Sequence, residues 1–329
     1  MAYTFTFLAR RCLQGLLIVM LASLIVFCLL RVGPGNPARL IAGGLADEAA
    51  VEAISKQMGL SDPIPVQFLR YMRGVFLHGD FGTSYVRPKS GASAVAGGRA
   101  DDPTRAERAE VIDLIKARLP LTLQVAALAL VLALAVSIPI GIHAGLNARR
   151  WPDSLALIFS SLLVSMPNFW LAGLLVLGVS IRLGWLPPVG YQGPIYTVLP
   201  ALVLAVEITP VFVRSLALSL GGMMTQNYVR IGPVRGLPRN VVIGRHAMRG
   251  ASVPLLNTLG IQLSALLGGI LVVEFIFDYP GLGALTIEAV MQRDFPLVQA
   301  IAVLTSAIFV VVNIMVDLAA ALIDPRLEY

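Results

Sequence analysis

Apolar residues along this chain are gathered into long runs separated by polar connections, rather than alternating at short period. The runs fall at residues 12–32, 120–146, 154–183, 197–220, 253–277 and 297–323. A stretch of about 20 apolar residues is what a helix needs to cross the hydrocarbon of a bilayer. The pattern therefore predicts an all-α, polytopic membrane protein with six transmembrane helices. The third run contains Ser165-Met166-Pro167-Asn168-Phe169-Trp170 in its interior. Proline there removes a backbone donor and kinks the helix, so Pro167 is read as a structural kink or as a hinge or pore-lining bend.

The polar connections carry patterns of their own. Residues 33–118 form a long polar stretch outside the membrane. Glycine and proline make a turn at 33–38, helical spacing recurs at 47–58 behind Asp47 and Glu48, and 66–77 is a second amphipathic candidate. Residues 88–105 are rich in Gly, Ala, Ser and charge, and read as a disordered insertion. A short amphipathic helix at 111–119 then leads to Pro120, placed at the start of the second span, where proline is tolerated. Three regions result: 1–32 with the first span, the external 33–118, and a core of spans over 119–329.

The connection at 221–254 carries Arg230, Arg235, Arg239, Arg245 and Arg249 and no acidic residue. Arginine clustered in a short loop between spans marks the cytoplasmic side, as do Arg10 and Arg11 ahead of the first span. Six spans then put both termini inside, in agreement with Arg326. Arg245, His246 and Arg249 stand at helical spacing, while Gly236-Leu237-Pro238 breaks the pattern before them. Two short helices with a glycine turn between them are expected, forming a compact knob that fits a cavity on a partner protein. Gly232 and Pro233 cost a helix about 3–4 kcal/mol by propensity, so the first of the two is expected to bend or start late.

Composition sharpens the class. The chain is 57% hydrophobic and 13% charged, against about 45–50% and about 25% for soluble domains, and its mean hydropathy is +0.80. The net charge of +6 is spread over loops and span ends without aromatic interleaving, which excludes a nucleic-acid partner. Cys12 and Cys28 both fall in the first run and lack metal-site spacing. That run is longer than the apolar core of a secretory signal, and is read as a retained span. No phosphate-binding GxxxxGK[ST] loop, HExxH pair or GxSxG elbow occurs. The chain is thus not an enzyme, and energy for transport must come from a partner or an ion gradient. Charged residues inside spans stand out for their cost. Glu207 and Arg214 lie seven apart on one helical face, Arg214 near the cytoplasmic end where its head can snorkel; Glu274 and Asp317 are read as buried carboxylates satisfied by neighbours.

Several motifs in order resemble one family. Tyr228-Val229-Arg230, Gly236-Leu237 and Arg245-His246-Ala247-Met248-Arg249 look like the coupling loop of ABC-importer permeases of the dipeptide, oligopeptide and nickel branch. LHGDFGTSY at 77–85, RLPLTL at 118–123, VEFIFDYPGLG at 273–283 and the closing Asp324-Pro325-Arg326 are similar to other motifs of that family. Gly232, Pro233 and Gly250 depart from its pattern, and the insertion at 88–105 is longer than usual. The resemblance implies a type I importer fold and a multi-pass subunit of the bacterial inner membrane. It implies a second homologous permease, two ATP-binding subunits that hold ATP and Mg, and an external solute-binding protein that delivers a peptide. It further implies ATPase coupling through Tyr228, Val229, Arg230, Arg235, Gly236, Leu237, Pro238 and Arg239. Glu207 is then either a polar contact on the path or a structural partner for Arg214 or the sister subunit. Nickel, glutathione or oligosaccharide are alternative cargoes, and an ion-coupled secondary transporter is the competing class.

Overall fold

The computed structural model describes residues 2–32, 37–42, 46–57, 59–88, 108–234 and 236–323. The helices in chain order are α1 (Ala2–Val32), α2 (Pro37–Ala42), α3 (Glu48–Gln57) and α4 (Ile64–Arg73), the last continued by a π-helical turn, Gly74–His78. Two strands follow, β1 (Thr83–Pro88) and β2 (Arg108–Glu110), and then α5 (Val111–Leu146), α6 (Trp151–Val164) and α7 (Asn168–Leu175), which runs on in π-helical form over Val176–Arg182. The rest comprises α8 (Val198–Met224), α9 (Asn227–Val234), α10 (Arg239–Val241), α11 (Met248–Ile276), α12 (Leu282–Met291) and α13 (Phe295–Ile323). Among the described residues five helical runs are long and apolar enough to cross a membrane, and the bent pair α6 with Asn168–Arg182 makes a sixth when counted as one span.

That pair is bent by 96°, a break rather than a kink. Its cause is local. Proline disfavours helical geometry in the residue before it, so α6 ends at Val164, Pro167 turns extended, and the Pro167 carbonyl accepts from Trp170 and Leu171 to start α7 (both 3.0 Å).

Contacts divide the chain into two compact units that cut across the linear regions. The first comprises Met1–Cys12, Leu121–Pro280 and Val311–Tyr329. Its core gathers Val125, Ala129 and Ala133 of α5 with Leu204, Ile208 and Phe212 of α8 and Leu266, Ile270 and Val273 of α11. α8 is the most enclosed span, with apolar neighbours on most of its circumference. Small residues permit the close approach that membrane helices need: a Cβ on Gly145 would lie 2.9 Å from Leu220 Cβ and 3.0 Å from the Ala217 carbonyl.

The second unit comprises Leu13–Pro120 and Gly281–Val310. Here Val111 and Ile115 of α5 bury against Leu282, Leu285 and Ala289 of α12 and Leu297, Ala300 and Ile301 of α13, while Phe27 of α1 packs edge-on against Phe68 of α4 at 5.5 Å. β1 and β2 pair antiparallel, Thr83 opposite Glu110. The pattern at 83–88 predicts no strand; the pairing partner, residues 108–110, is too short to announce itself. The expected helix 111–119 and second span prove to be one helix, with Pro120 inside it at the cost of one ladder bond. Most of the expected insertion at 88–105 lies outside the described residues.

Candidate functional site

The connection between α8 and α11 is built as a bracket. α9 leaves α8 after a short turn, Gly236 reverses the chain at φ 76°, a left-handed conformation that glycine adopts without penalty, and α10 begins behind Pro238. The turn is closed by Gly236 N–H donating to the Pro233 carbonyl (3.0 Å) and Leu237 N–H to Gly232 (3.1 Å). From Arg239 the helical run continues through the turn Val242–Ala247 into α11 and on to Ile276. The second of the two expected short helices is thus the beginning of a span, because nothing in 239–253 breaks it.

One side of this bracket is anchored. Val229, Val242, Ala247 and Ala251 bury against Leu216 and Leu220 of α8. Gly232 faces the same way, and a Cβ there would fall 2.7 Å from Val242 Cγ2. The departure at Gly232 therefore has a packing reason, whereas nothing in the structure explains Pro233, which is exposed. α9 neither starts late nor breaks at this pair, since the close α9 to Val242 contact offsets the poor propensity. At Gly250 a Cβ would meet Met223 Sδ at 2.5 Å, so that flexible side chain would have to shift.

The other side is bare. Tyr228, Arg230, Ile231, Val234, Gly236, Leu237, Pro238 and Arg239 are all exposed, Val234 at 85% and Tyr228 at 54%. Val229, at 2%, belongs to the anchored side. Arg235 lies outside the described residues. The result is a surface of arginines and apolar side chains on a rigidly seated helix pair.

The residues inside the spans are separated rather than joined. Glu207 Oε2 accepts from Asn168 Nδ2 (2.8 Å), the first residue of α7, so the break at Pro167 delivers a partner to the acid. Arg214, exposed, donates to Ser161 Oγ at 3.3 Å, and among the described residues no ion pair joins it to Glu207. Glu274 is wholly buried and accepts from Thr122 Oγ1 at 2.7 Å. Asp317 pairs with Arg11 at 3.0 Å, linking α13 to the start of α1. Asn168 and Thr122 were not singled out from sequence: a lone amide or hydroxyl beside a proline carries no periodic signal.

The segment after α11 is a packed turn. Asp278 takes φ 48°, Tyr279 N–H returns to the Glu274 carbonyl (2.8 Å), and the buried Tyr279 ring stands edge-on to Tyr191 at 5.2 Å with its hydroxyl 3.1 Å from Thr197 Oγ1. Burial raises the Tyr279 phenol above its ordinary value. In the other unit, buried Asp294 accepts from Ser84 Oγ and from the Tyr85 N–H (3.0 Å), and Arg87 pairs with Glu288. The motif at 77–85 is thereby tied to the turn between α12 and α13.

The site is thus a seated arginine bracket between long apolar helices. Residues 137–329 match the binding-protein-dependent transport system inner membrane component family, and residues 4–126 its N-terminal model; the chain belongs to this family, as a non-catalytic permease subunit of a type I ABC importer. Such a subunit works with a partner permease, ATPase subunits and a binding protein. It is 34% identical over 323 residues, 98% of this chain and 99% of the relative, to the glutathione transport system permease protein GsiC of Salmonella paratyphi A (strain ATCC 9150 / SARB42). It is 33% identical, over the same shares, to GsiC of Escherichia coli (strain K12).

Proposed function

We propose that this chain is one wall of a peptide-importing channel and that its arginine bracket, residues 221–254, is the surface on which an ATP-binding subunit acts. The observation that carries the reading is the bracket's two-sidedness: Val229, Gly232 and Val242 seat it against α8, while Tyr228, Arg230, Val234, Leu237 and Arg239 are left bare. The helical run is continuous from Arg239 to Ile276, through the π-helical turn Val242–Ala247 and past Pro254, so a displacement imposed on the bare face is passed on to α11. ATP-driven closure of two such subunits would draw this bracket and its counterpart on a homologous permease together and open the spans outward; hydrolysis would reverse it.

On this reading the bracket and both termini face the cytoplasm, supported by the arginine excess at 230–249 and by Arg10 and Arg11. Cargo is a di- or oligopeptide. The relatives' names favour glutathione, itself a small peptide, as a member of that class. Glu207, held by Asn168, joins α7 to α8 and is a structural group in this subunit.

Two measurements test the proposal. In a background lacking Cys12 and Cys28, Val234→Cys should react with a membrane-impermeant maleimide only from the cytoplasmic side. In the reconstituted complex, Arg230→Ala and Gly236→Ala should assemble and insert normally yet lose ATP hydrolysis stimulated by the loaded binding protein. Labelling from outside, or unaltered stimulation in both variants, refutes it.

A further inference from the structure

The first unit contains a half-open groove of about 580 Å³ between α5, α6 and α8. Its origin lies in the packing of the helices around it. A Cβ on Gly141 would fall 3.0 Å from Leu216 Cβ, so α5 and α8 approach closely near their C-terminal ends. α6 leans on α8 with Ser160 as its single buried residue. The flank of α6 that faces the groove is left bare, Phe159 at 63% exposure and Leu155 at 45%. Apart from His143, Ser160 and Thr209 the lining is apolar, and Thr209 spends its hydroxyl on the Ala205 carbonyl (2.6 Å). Pro139, Pro152 and Pro210 stand in the wall, one from each helix. Proline brings no backbone donor, so these walls ask for apolar contact and little else.

One end of the groove is charged. Trp151 and Pro152 line it there, directly after Arg149 and Arg150 in the turn that joins α5 to α6. Both arginines are exposed, and among the described residues no ion pair holds either of them. Arg149 takes φ 64°, a left-handed conformation that is costly for a residue with a side chain and free for glycine. An arginine kept at that angle points to a use for its side chain beyond the turn. Asp153 accepts the Arg149 N–H (2.8 Å) and does not line the groove, and the turn keeps a net positive charge. Trp151, 73% exposed, stands where a span meets the headgroup region, a common place for tryptophan.

We propose that this groove is a binding site for an anionic phospholipid, with an acyl chain laid along α6 and the phosphate held by Arg149 and Arg150. The dimensions favour a chain. From Trp151 to Leu163 the groove follows α6 for roughly 18 Å at the helical rise of about 1.5 Å per residue. One leaflet of the hydrocarbon is about 15 Å deep, half of the roughly 30 Å of the bilayer core. Spread over that length, the volume makes a channel about 6 Å across, well short of the roughly 10–12 Å of a helix with its side chains. A helix of a neighbouring subunit therefore cannot fill it, whereas an acyl chain can. Basic clusters at the ends of membrane helices are the usual seats of anionic headgroups. Such a lipid would hold α6, the first half of the broken third span, against α5.

The test uses the complete importer complex in nanodiscs that contain phosphatidylglycerol with a photoreactive diazirine in its acyl chain, followed by mass spectrometry of the adducts. Labelling should concentrate severalfold on the peptides covering 136–163 relative to the other spans of this chain. Unlabelled phosphatidylglycerol should compete for it severalfold better than phosphatidylcholine. Arg149→Gly/Arg150→Gln removes both cations while relieving the left-handed strain, and Leu155→Trp fills the groove; each should cut labelling there severalfold and leave the rest of the chain unchanged. Labelling no higher than on other spans, equal competition by phosphatidylcholine, or undiminished labelling in both variants overturns the proposal in favour of ordinary surrounding lipid. Cross-linking of Phe159→Cys to the second permease, in a background lacking Cys12 and Cys28, would give the groove to that subunit and overturn it equally.

Discussion

Replacing Gly232 by alanine asks whether the bracket must be clamped to its own span in order to transmit force. The added methyl would lie 2.7 Å from Val242 Cγ2 and 3.5 Å from Cγ1. Val242 is 3% exposed and β-branched, so it cannot swing aside. Overpacking of this kind costs about 1–3 kcal/mol, and alanine returns about 1 kcal/mol of helix propensity. The net loss of up to about 2 kcal/mol is small enough for the protein to insert. Its effect concentrates on the α9 to Val242 contact. We expect Gly232→Ala to assemble with its partners, melt a few degrees lower, and show reduced stimulation of ATP hydrolysis by the loaded binding protein. Val242→Ala alone removes two methyl groups, at about 2 kcal/mol. In Gly232→Ala/Val242→Ala the clash disappears, so the two losses should be less than additive by about 1–2 kcal/mol and stimulation should recover in part. Full additivity, or wild-type coupling in Gly232→Ala, refutes the reasoning.

Three other outcomes follow from the geometry. Thr122→Val removes the hydroxyl 2.7 Å from the buried Glu274 carboxyl and should lower stability by about 1–3 kcal/mol, read as a drop in melting temperature in detergent, with Thr122→Ser close to wild type. Asp294→Ala leaves Ser84 Oγ and the Tyr85 N–H without their acceptor; a loss of about 2–3 kcal/mol is expected, with faster hydrogen exchange at 83–88, and unchanged exchange there would contradict the clamp. Glu207→Gln keeps an oxygen for Asn168 Nδ2 and should preserve uptake, whereas Glu207→Ala should destabilise the α7 to α8 contact by about 1–3 kcal/mol; loss of uptake in Glu207→Gln at normal expression would make it a path residue.

The turn of the arginine bracket was legible because it rests on local signals. Gly236 needs a left-handed turn, Pro238 starts a helix, and both act within a few residues. Its second helix is the start of a span, since Gly244, Gly250 and Pro254 do not interrupt the run from Arg239 into α11, and periodicity does not reveal whether a loop helix and a span are one body. Pro167 was legible as a bend, but its 96° angle depends on what α7 packs against. Pairing of charges was least legible. Glu207 and Arg214 share a helical face by spacing, yet each takes its polar partner from the broken third span, Asn168 and Ser161. Val229 belongs to the family-like motif but turns inward, because one position in each helical turn must bury for the bracket to be held at all.

What the sequence determined by itself is the set of things hydrophobicity and local geometry decide: how many runs can cross a bilayer, which connection carries the arginines, and where the chain must turn. Tertiary structure alone decided the rest. It showed that 281–310 packs with 13–120, that Ser84 and Asp294 meet across most of the chain, that a strand pair flanks the insertion, and that Gly232 is glycine because of Val242. The reason is physical: propensity and periodicity act over a turn or two of backbone, whereas hydrogen-bond partners and steric limits are set by whichever distant side chain the packing of long helices brings within 3 or 4 Å.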